Sequence, residues 1–160
     1  MKPSLYKIET PTTGSLFQMP KPSGEWLHDD LNHYQLSGMQ HIVSLLEQDE
    51  AAELGLSNEG PVCQEIGLDF TSIPIPDREI PSLETFKPIV LELSQKLKAG
   101  RSLGIHCRAG IGRSGLLNCC ILKTVGLGTE EAIHRVSDAR GLKIPDTQIQ
   151  IDFIEAYSVD

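Results

Sequence analysis

The stretch His106-Cys107-Arg108-Ala109-Gly110-Ile111-Gly112-Arg113-Ser114-Gly115 gathers a thiol, a guanidinium, loop glycines and a hydroxyl in ten consecutive positions. Before it, Ser102 to His106 reads as a short strand; after it, Leu116, Leu117, Cys120, Ile121 and Leu122 read as an apolar helix. A loop joining a strand to a helix N-terminus can aim successive backbone N–H groups at one anion, and the helix dipole adds partial positive charge there. Gly110 and Gly112 let the backbone curl that tightly. At the mouth of such a nest Cys107 is favoured as a thiolate by the amides and by Arg113, which makes it a nucleophile at neutral pH. Arg113 follows Cys107 by six positions, so the curled loop returns its planar fork over the sulfur, where it can hold two phosphoryl oxygens. The expected phosphate cradle is Arg108, Ala109, Gly110, Ile111, Gly112 and Arg113. A buried, inert cysteine at an ordinary turn is the bland alternative. It leaves the joint presence of thiol, glycines, arginine and the Ser114 hydroxyl unexplained.

The pattern HCxxGxxR[ST] in these residues resembles the signature of the protein tyrosine and dual-specificity phosphatase superfamily. The resemblance implies that Cys107 attacks phosphorus, that Arg113 stabilises the transferring group, and that Ser114 helps expel the thiolate from phosphocysteine. It also implies that His106 supports the loop and its thiolate through hydrogen bonds. A general acid is needed for the leaving oxygen. Asp77 lies in the proline-framed loop Pro74-Ile75-Pro76-Asp77-Arg78-Glu79-Ile80-Pro81, upstream of the cysteine where this family places its acid. Asp69 competes, but it falls inside a predicted strand. Arg140 to Gln150 resembles the closing segment of bacterial dual-specificity and cyclin-dependent-kinase-inhibitor-associated phosphatases, in which a glutamine orients the hydrolytic water. Gln150 is the better candidate by spacing, Gln148 the second, and Asp146 or Thr147 is the N-cap of the following helix.

What this resemblance implies is a hydrolase of phosphate monoesters on phosphotyrosine and on phosphoserine or phosphothreonine, with a phosphorylated protein or peptide as substrate. The resemblance extends over about Gly14 to Tyr157, and the absence of a substrate-tyrosine loop favours the compact branch. Ala109 and Ile111 stand where phosphoinositide phosphatases often carry lysines, which disfavours a lipid substrate. Arg78, Arg108, Arg140 and Lys143 are candidates for a basic mouth. Two other readings are a phosphoresidue-binding module without turnover and a thiol redox enzyme using Cys119 or Cys120. Intact Cys107, Arg113 and Asp77 argue against the first, and adjacent cysteines in an apolar helix read better as packing than as redox partners.

Composition agrees with an ordinary globular chain: 160 residues, 39% hydrophobic and 22% charged. A formal net charge of -8 speaks against nucleic-acid and anionic-membrane partners, which need basic patches. The first nine residues lack a signal-peptide core and no apolar run is long enough to span a bilayer, so the expected location is cytoplasmic. Four unpatterned cysteines indicate reduced thiols, and five histidines without HxH or HExxH spacing indicate neither metal nor other cofactor. The sequence leaves the oligomeric state open.

The elements that must position the site follow from periodicity. Edge strands are expected at Leu5–Ile8 and Ser15–Gln18 within a proline-rich segment 1–24, then a helix Glu25–Ser37 with Leu27, Leu31, Tyr34 and Leu36 inward. A buried parallel strand is expected over His41–Leu46, two short helices over Gln48–Gly67 and a strand over Leu68–Ile75. Ser82 caps a helix with Leu83, Phe86, Val90, Leu93 and Leu97 on one face; later helices run from a Thr129 cap and from Thr147. Strands alternating with helices predict an α/β fold: one domain, 1–160, with a largely parallel central sheet flanked by helices.

Overall fold

The computed structural model describes residues 2–159; positions 1 and 160, the two ends of the expected 1–160 unit, lie outside the described residues. Five short strands, β1 (Tyr6–Ile8), β2 (Leu16–Met19), β3 (His41–Ser44), β4 (Asp69–Ser72) and β5 (Leu103–His106), form one sheet in the order β1-β2-β5-β3-β4. β1 runs antiparallel to β2 and every other pair is parallel. Parallel neighbours need crossovers, which the helices supply: α1 (Leu27–Leu36), α2 (Gln48–Glu53), α3 (Glu59–Ile66), α4 (Leu83–Lys98), α5 (Arg113–Thr124), α6 (Thr129–Arg140) and α7 (Gln148–Ala156).

Side chains alternate across the sheet and so build two cores. Leu16, Val43, Leu103 and Ile105 face α4, α5, α6 and α7, where Phe86, Val90, Leu116, Leu117, Val136 and Ile154 are buried. Phe17, Met19 and Ile42 face α1 and α3, against Leu27, Leu31, Tyr34, Val62 and Cys63. Helix α5 is buried along Arg113 to Leu122, its apolar residues in the core and its polar Arg113, Ser114 and Asn118 each hydrogen-bonded.

Several expectations are corrected in detail. β2 is an interior strand paired on both sides and buried throughout, so only β1 is an edge at that side of the sheet. β4, the other edge, is limited to four residues. Leu36 and Leu83 are exposed rather than inward, because each sits at a helix end beyond its last or first buried turn. α1 begins at Leu27 after the cap Trp26, and α6 is capped by Gly128 with Thr129 already helical. α4 continues through Pro88, whose missing N–H would ordinarily break a helix.

Strand register sets the site. Met19 pairs with His106, His106 with Ser44, and Ser44 with Ser72, so four parallel strands end in one row. The loops leaving that row carry Pro20, Cys107, the start of α2 and the proline-framed acid loop to the same edge of the sheet.

Candidate active site

Cys107 directly follows β5 and is 3% exposed. The five carbonyls from Cys107 to Ile111 are all engaged from outside the loop. His106 Nδ1 donates to Cys107 O (3.0 Å) and Lys21 N to Arg108 O (3.1 Å). Arg140 Nη2 donates to Ala109 O (3.3 Å), and both Arg140 Nε (3.0 Å) and Gln18 Nε2 (3.1 Å) donate to Gly110 O. Gln18 Nε2 also reaches Ile111 O at 3.4 Å. The carbonyls are thus spent on these outer donors, while the amides of residues 108–112 meet no acceptor among the described residues. A loop whose carbonyls are spent and whose amides are free is one that could receive an anion. Gly110 makes it possible: its φ is +73°, and an added Cβ would stand 2.5 Å from Met19 C and Pro20 N. Gly112 has an ordinary negative φ; its lack of a Cβ instead lets Asp146 and Gln150 approach.

Ser114 Oγ lies 3.2 Å from Cys107 Sγ. Arg113 is 1% exposed and its fork is held by Glu50 of α2 in a bidentate pair, Nη1–Oε1 2.7 Å and Nη2–Oε2 2.8 Å. Nη1 also donates to Ile75 O (3.0 Å) and Leu45 O (3.4 Å), while Arg113 Nε is buried with no partner among the described residues. Burial opposes the Arg113 charge, but the Glu50 hydrogen bonds, Cys107 and Asp77 outweigh it and raise its pKa above the usual value. The bond from Arg113 correspondingly holds the Glu50 carboxyl below the usual carboxylate range, against the opposing effect of burial.

Asp77 is 62% exposed and its Oδ1 lies 3.4 Å from Arg113 Nη2, which places the expected acid beside the cradle. Asp69 opens β4 at the far end of the sheet and pairs with Arg101. Gln150 is fully buried; its Nε2 donates to Glu79 O (3.2 Å), and its Oε1 has no partner among the described residues. A Cβ on Gly112 would stand 3.0 Å from that Oε1, so Gln150 overhangs the cradle, whereas Gln148 is exposed and bonds Asp152. Thr147 is the N-cap of α7. Of the four candidate cations for the mouth, Arg140 buttresses the outside of the loop and packs over the Tyr6 ring, and Arg78 pairs with Asp146. Arg108 and Lys143 are exposed.

Sequence reasoning missed the side chains that support the loop from a distance. Glu50 looks locally like a first-turn acid in a capping box with Glu47. Gln18 receives a bond from Asn118 Nδ2 (2.6 Å), so a buried amide pair links α5 to the cradle. Glu59 lies 2.6 Å from His106 Nε2, and no local pattern marks it. Among the described residues no group of three or more His, Cys, Asp or Glu is placed to hold a metal ion, and no helix is long and apolar enough to cross a membrane. Cys63, Cys107, Cys119 and Cys120 are all free; burial pushes the Cys119 thiol up to about 12 and Cys120 higher still, consistent with packing inside α5.

Comparison with known proteins yields a match of residues 18–126 to the family described as polymorphic toxin system, DSP-PTPase phosphatase. Cyclin-dependent kinase inhibitor 3 of Rattus norvegicus is 27% identical over 133 residues, covering 82% of this chain and 63% of that protein. The chain thus spans under two thirds of that relative's length. A tyrosine-protein phosphatase of Autographa californica nuclear polyhedrosis virus is 35% identical over 82 residues, 49% of this chain and 48% of the viral protein. The fold superposes on crystalline kinase associated phosphatase, with its catalytic-site cysteine replaced by serine, at a TM-score of 0.87 and 22% identity, covering 96% and 93% of the two chains.

Proposed function

The chain belongs to the DSP-PTPase phosphatase family, and from that premise we propose that it is a cysteine-dependent phosphatase that hydrolyses phosphate monoesters of protein or peptide through a phosphocysteine intermediate. What supports this reading is a set of unspent donors in the loop that starts at Cys107: the amides of residues 108–112 make no hydrogen bond among the described residues, and Arg113, on whose charge Cys107 acts, keeps a buried Nε without a partner. A buried guanidinium N–H left unpaired is costly, and a phosphoryl oxygen satisfies it.

In the first step the Cys107 thiolate attacks phosphorus, an S–P bond forms, the P–O ester bond breaks, and Asp77 gives its proton to the leaving oxygen. Arg113 and the amides hold the three equatorial oxygens. In the second step water attacks phosphorus, Asp77 takes its proton, and the S–P bond breaks to return the thiolate. Gln150, overhanging Gly112, orients that water, and Ser114 Oγ, 3.2 Å from the sulfur, donates to the departing thiolate. Neither step requires a metal or other cofactor. A phosphotyrosine substrate accords with the name of one relative, a tyrosine-protein phosphatase; phosphoserine and phosphothreonine are further substrates in this reading. The net charge of -8 disfavours nucleic acid as a partner, and four free cysteines accord with a reducing cytoplasm. The same reading treats 1–160 as one phosphatase domain.

Turnover of para-nitrophenyl phosphate and of a panel of phosphotyrosine and phosphothreonine peptides tests this. Cys107→Ser abolishes hydrolysis while phosphopeptide binding persists; residual turnover by that variant at the wild-type rate refutes the scheme.

A further inference from the structure

Behind the cradle lies a buried carboxylate that the reaction scheme does not use. The His106 ring is fully buried between the Cys107 carbonyl, 3.0 Å from Nδ1, and Glu59 Oε2, 2.6 Å from Nε2; the Glu59 side chain is 2% exposed. A carbonyl only accepts, so Nδ1 carries hydrogen. A carboxylate oxygen and a ring nitrogen at 2.6 Å require a proton between them, since two bare lone pairs repel. A carboxylic acid donating to a neutral ring or an imidazolium donating to a carboxylate meets that contact; the second arrangement puts a positive charge on the residue next to Cys107, where burial limits screening.

The other groups around the pair do not supply this charge. Tyr34 of α1 has its hydroxyl buried without a partner among the described residues; burial first, then Asp30, Glu59 and Cys63, keep it a neutral phenol. Cys63 of α3 is pushed up to about 12 by burial and by Glu59, so it too is neutral. The Asp30 carboxylate accepts from Ser23 N at 2.7 Å. On the loop side stands Arg113, whose fork is committed to Glu50. Among the described residues His106 is the side chain hydrogen-bonded to the Glu59 carboxyl, and the pair is placed to do more than fill space.

We propose that Glu59 is a positioning residue that holds His106 doubly protonated and fixed on the Cys107 carbonyl, and so favours the Cys107 thiolate from behind the loop. The inference deepens the phosphatase reading and rests on it only for the identity of the nucleophile.

Alkylation of Cys107 by iodoacetate, located by mass spectrometry and followed from about pH 5 to about pH 9, reads the thiolate without any turnover. Glu59→Gln keeps the shape and can donate its amide N–H to Nε2, which preserves the Nδ1–H contact but leaves the ring neutral. The expected result is roughly tenfold slower alkylation near about pH 6, a loss equivalent to a displacement of about one pH unit, with rates converging on wild type at high pH. The acid limb of kcat/KM moves with it. In a His106→Asn background, where the ring charge is already gone, Glu59→Gln has no further effect on the profile. Superposed profiles for wild type and Glu59→Gln overturn the proposal, whatever happens to the melting temperature, and so does an equal further loss in the His106→Asn background. If wild type shows the pH-dependent alkylation and the Glu59→Gln displacement but hydrolyses no phosphate ester, the phosphatase reading fails and the Glu59 assignment stands.

Discussion

Replacing Glu50 by Gln tests whether Arg113 is held for chemistry by a charge or merely by packing. Glu50 spends both oxygens on the Arg113 fork, at 2.7 and 2.8 Å, and its side chain is 12% exposed against 1% for Arg113. Removing one partner of a fully buried pair costs about 3–5 kcal/mol, because the other charge is left uncompensated. Here Gln keeps one acceptor, and the Ile75 and Leu45 carbonyls still accept from Nη1, so the cost falls to about 2–3 kcal/mol. In a domain of this size that lowers the melting temperature by about 5–10 °C. The Arg113 hydrogen bond holds the Glu50 carboxyl below its usual range, so the pair's contribution is complete above the unfolded carboxyl value of about 4.3 and is lost as pH falls through the lower folded value. The melting deficit of Glu50→Gln is therefore full at about pH 7 and shrinks as the pH drops below about 4. Turnover of para-nitrophenyl phosphate falls about 10- to 100-fold, because a fork free to swing no longer presents Nε to the phosphoryl group. Thermal melts at both pH values, with kcat at neutral pH, decide the matter. A deficit that is the same at both pH values refutes the electrostatic account, and unchanged kcat refutes the claim that Glu50 orients Arg113.

Gly110→Ala puts a Cβ 2.5 Å from the Met19 and Pro20 backbone at a φ of +73°, which no rotamer change can relieve. The left-handed strain alone costs about 1–2 kcal/mol, and the expected outcome is a lower melting temperature with more than about tenfold loss of kcat/KM; retained activity shows that the cradle does not need this curl. Asp77→Ala slows phenyl phosphate, whose leaving oxygen needs a proton, by about 100-fold or more, and para-nitrophenyl phosphate far less. Equal loss on both esters assigns the acid to another residue.

The candidate loop at Cys107 is legible in the sequence because its parts are contiguous: thiol, glycines, arginine and hydroxyl lie within one strand-to-helix junction, and local chemistry suffices to read them. The alternation of strands and helices is legible for the same reason, since each element's period is written in neighbouring residues. Leu36 and Leu83 are not legible as exposed, because an apolar residue at a helix end fits the period whether or not the last turn reaches the core. The interior place of β2 is not legible either, because nothing in four residues says how many neighbours a strand has.

The supporting shell is another matter. Glu50 and Arg113 are 63 positions apart, Glu59 and His106 47, Gln18 and Gly110 92, and each of the three polar partners has an unremarkable local role in its own helix or strand. What brings them together is strand direction. Because β2, β5, β3 and β4 run parallel and end level at Met19, His106, Ser44 and Ser72, chain leaving β3 or β4 emerges beside Cys107, and chain entering them does not. Asp77 and Glu50 follow a strand end and reach Arg113; Asp69 begins a strand and pairs with Arg101 at the opposite edge. The choice between the two aspartates is thus a consequence of parallel pairing: an antiparallel β4 would exchange the two ends of that strand and leave Asp77 on the wrong side of the sheet.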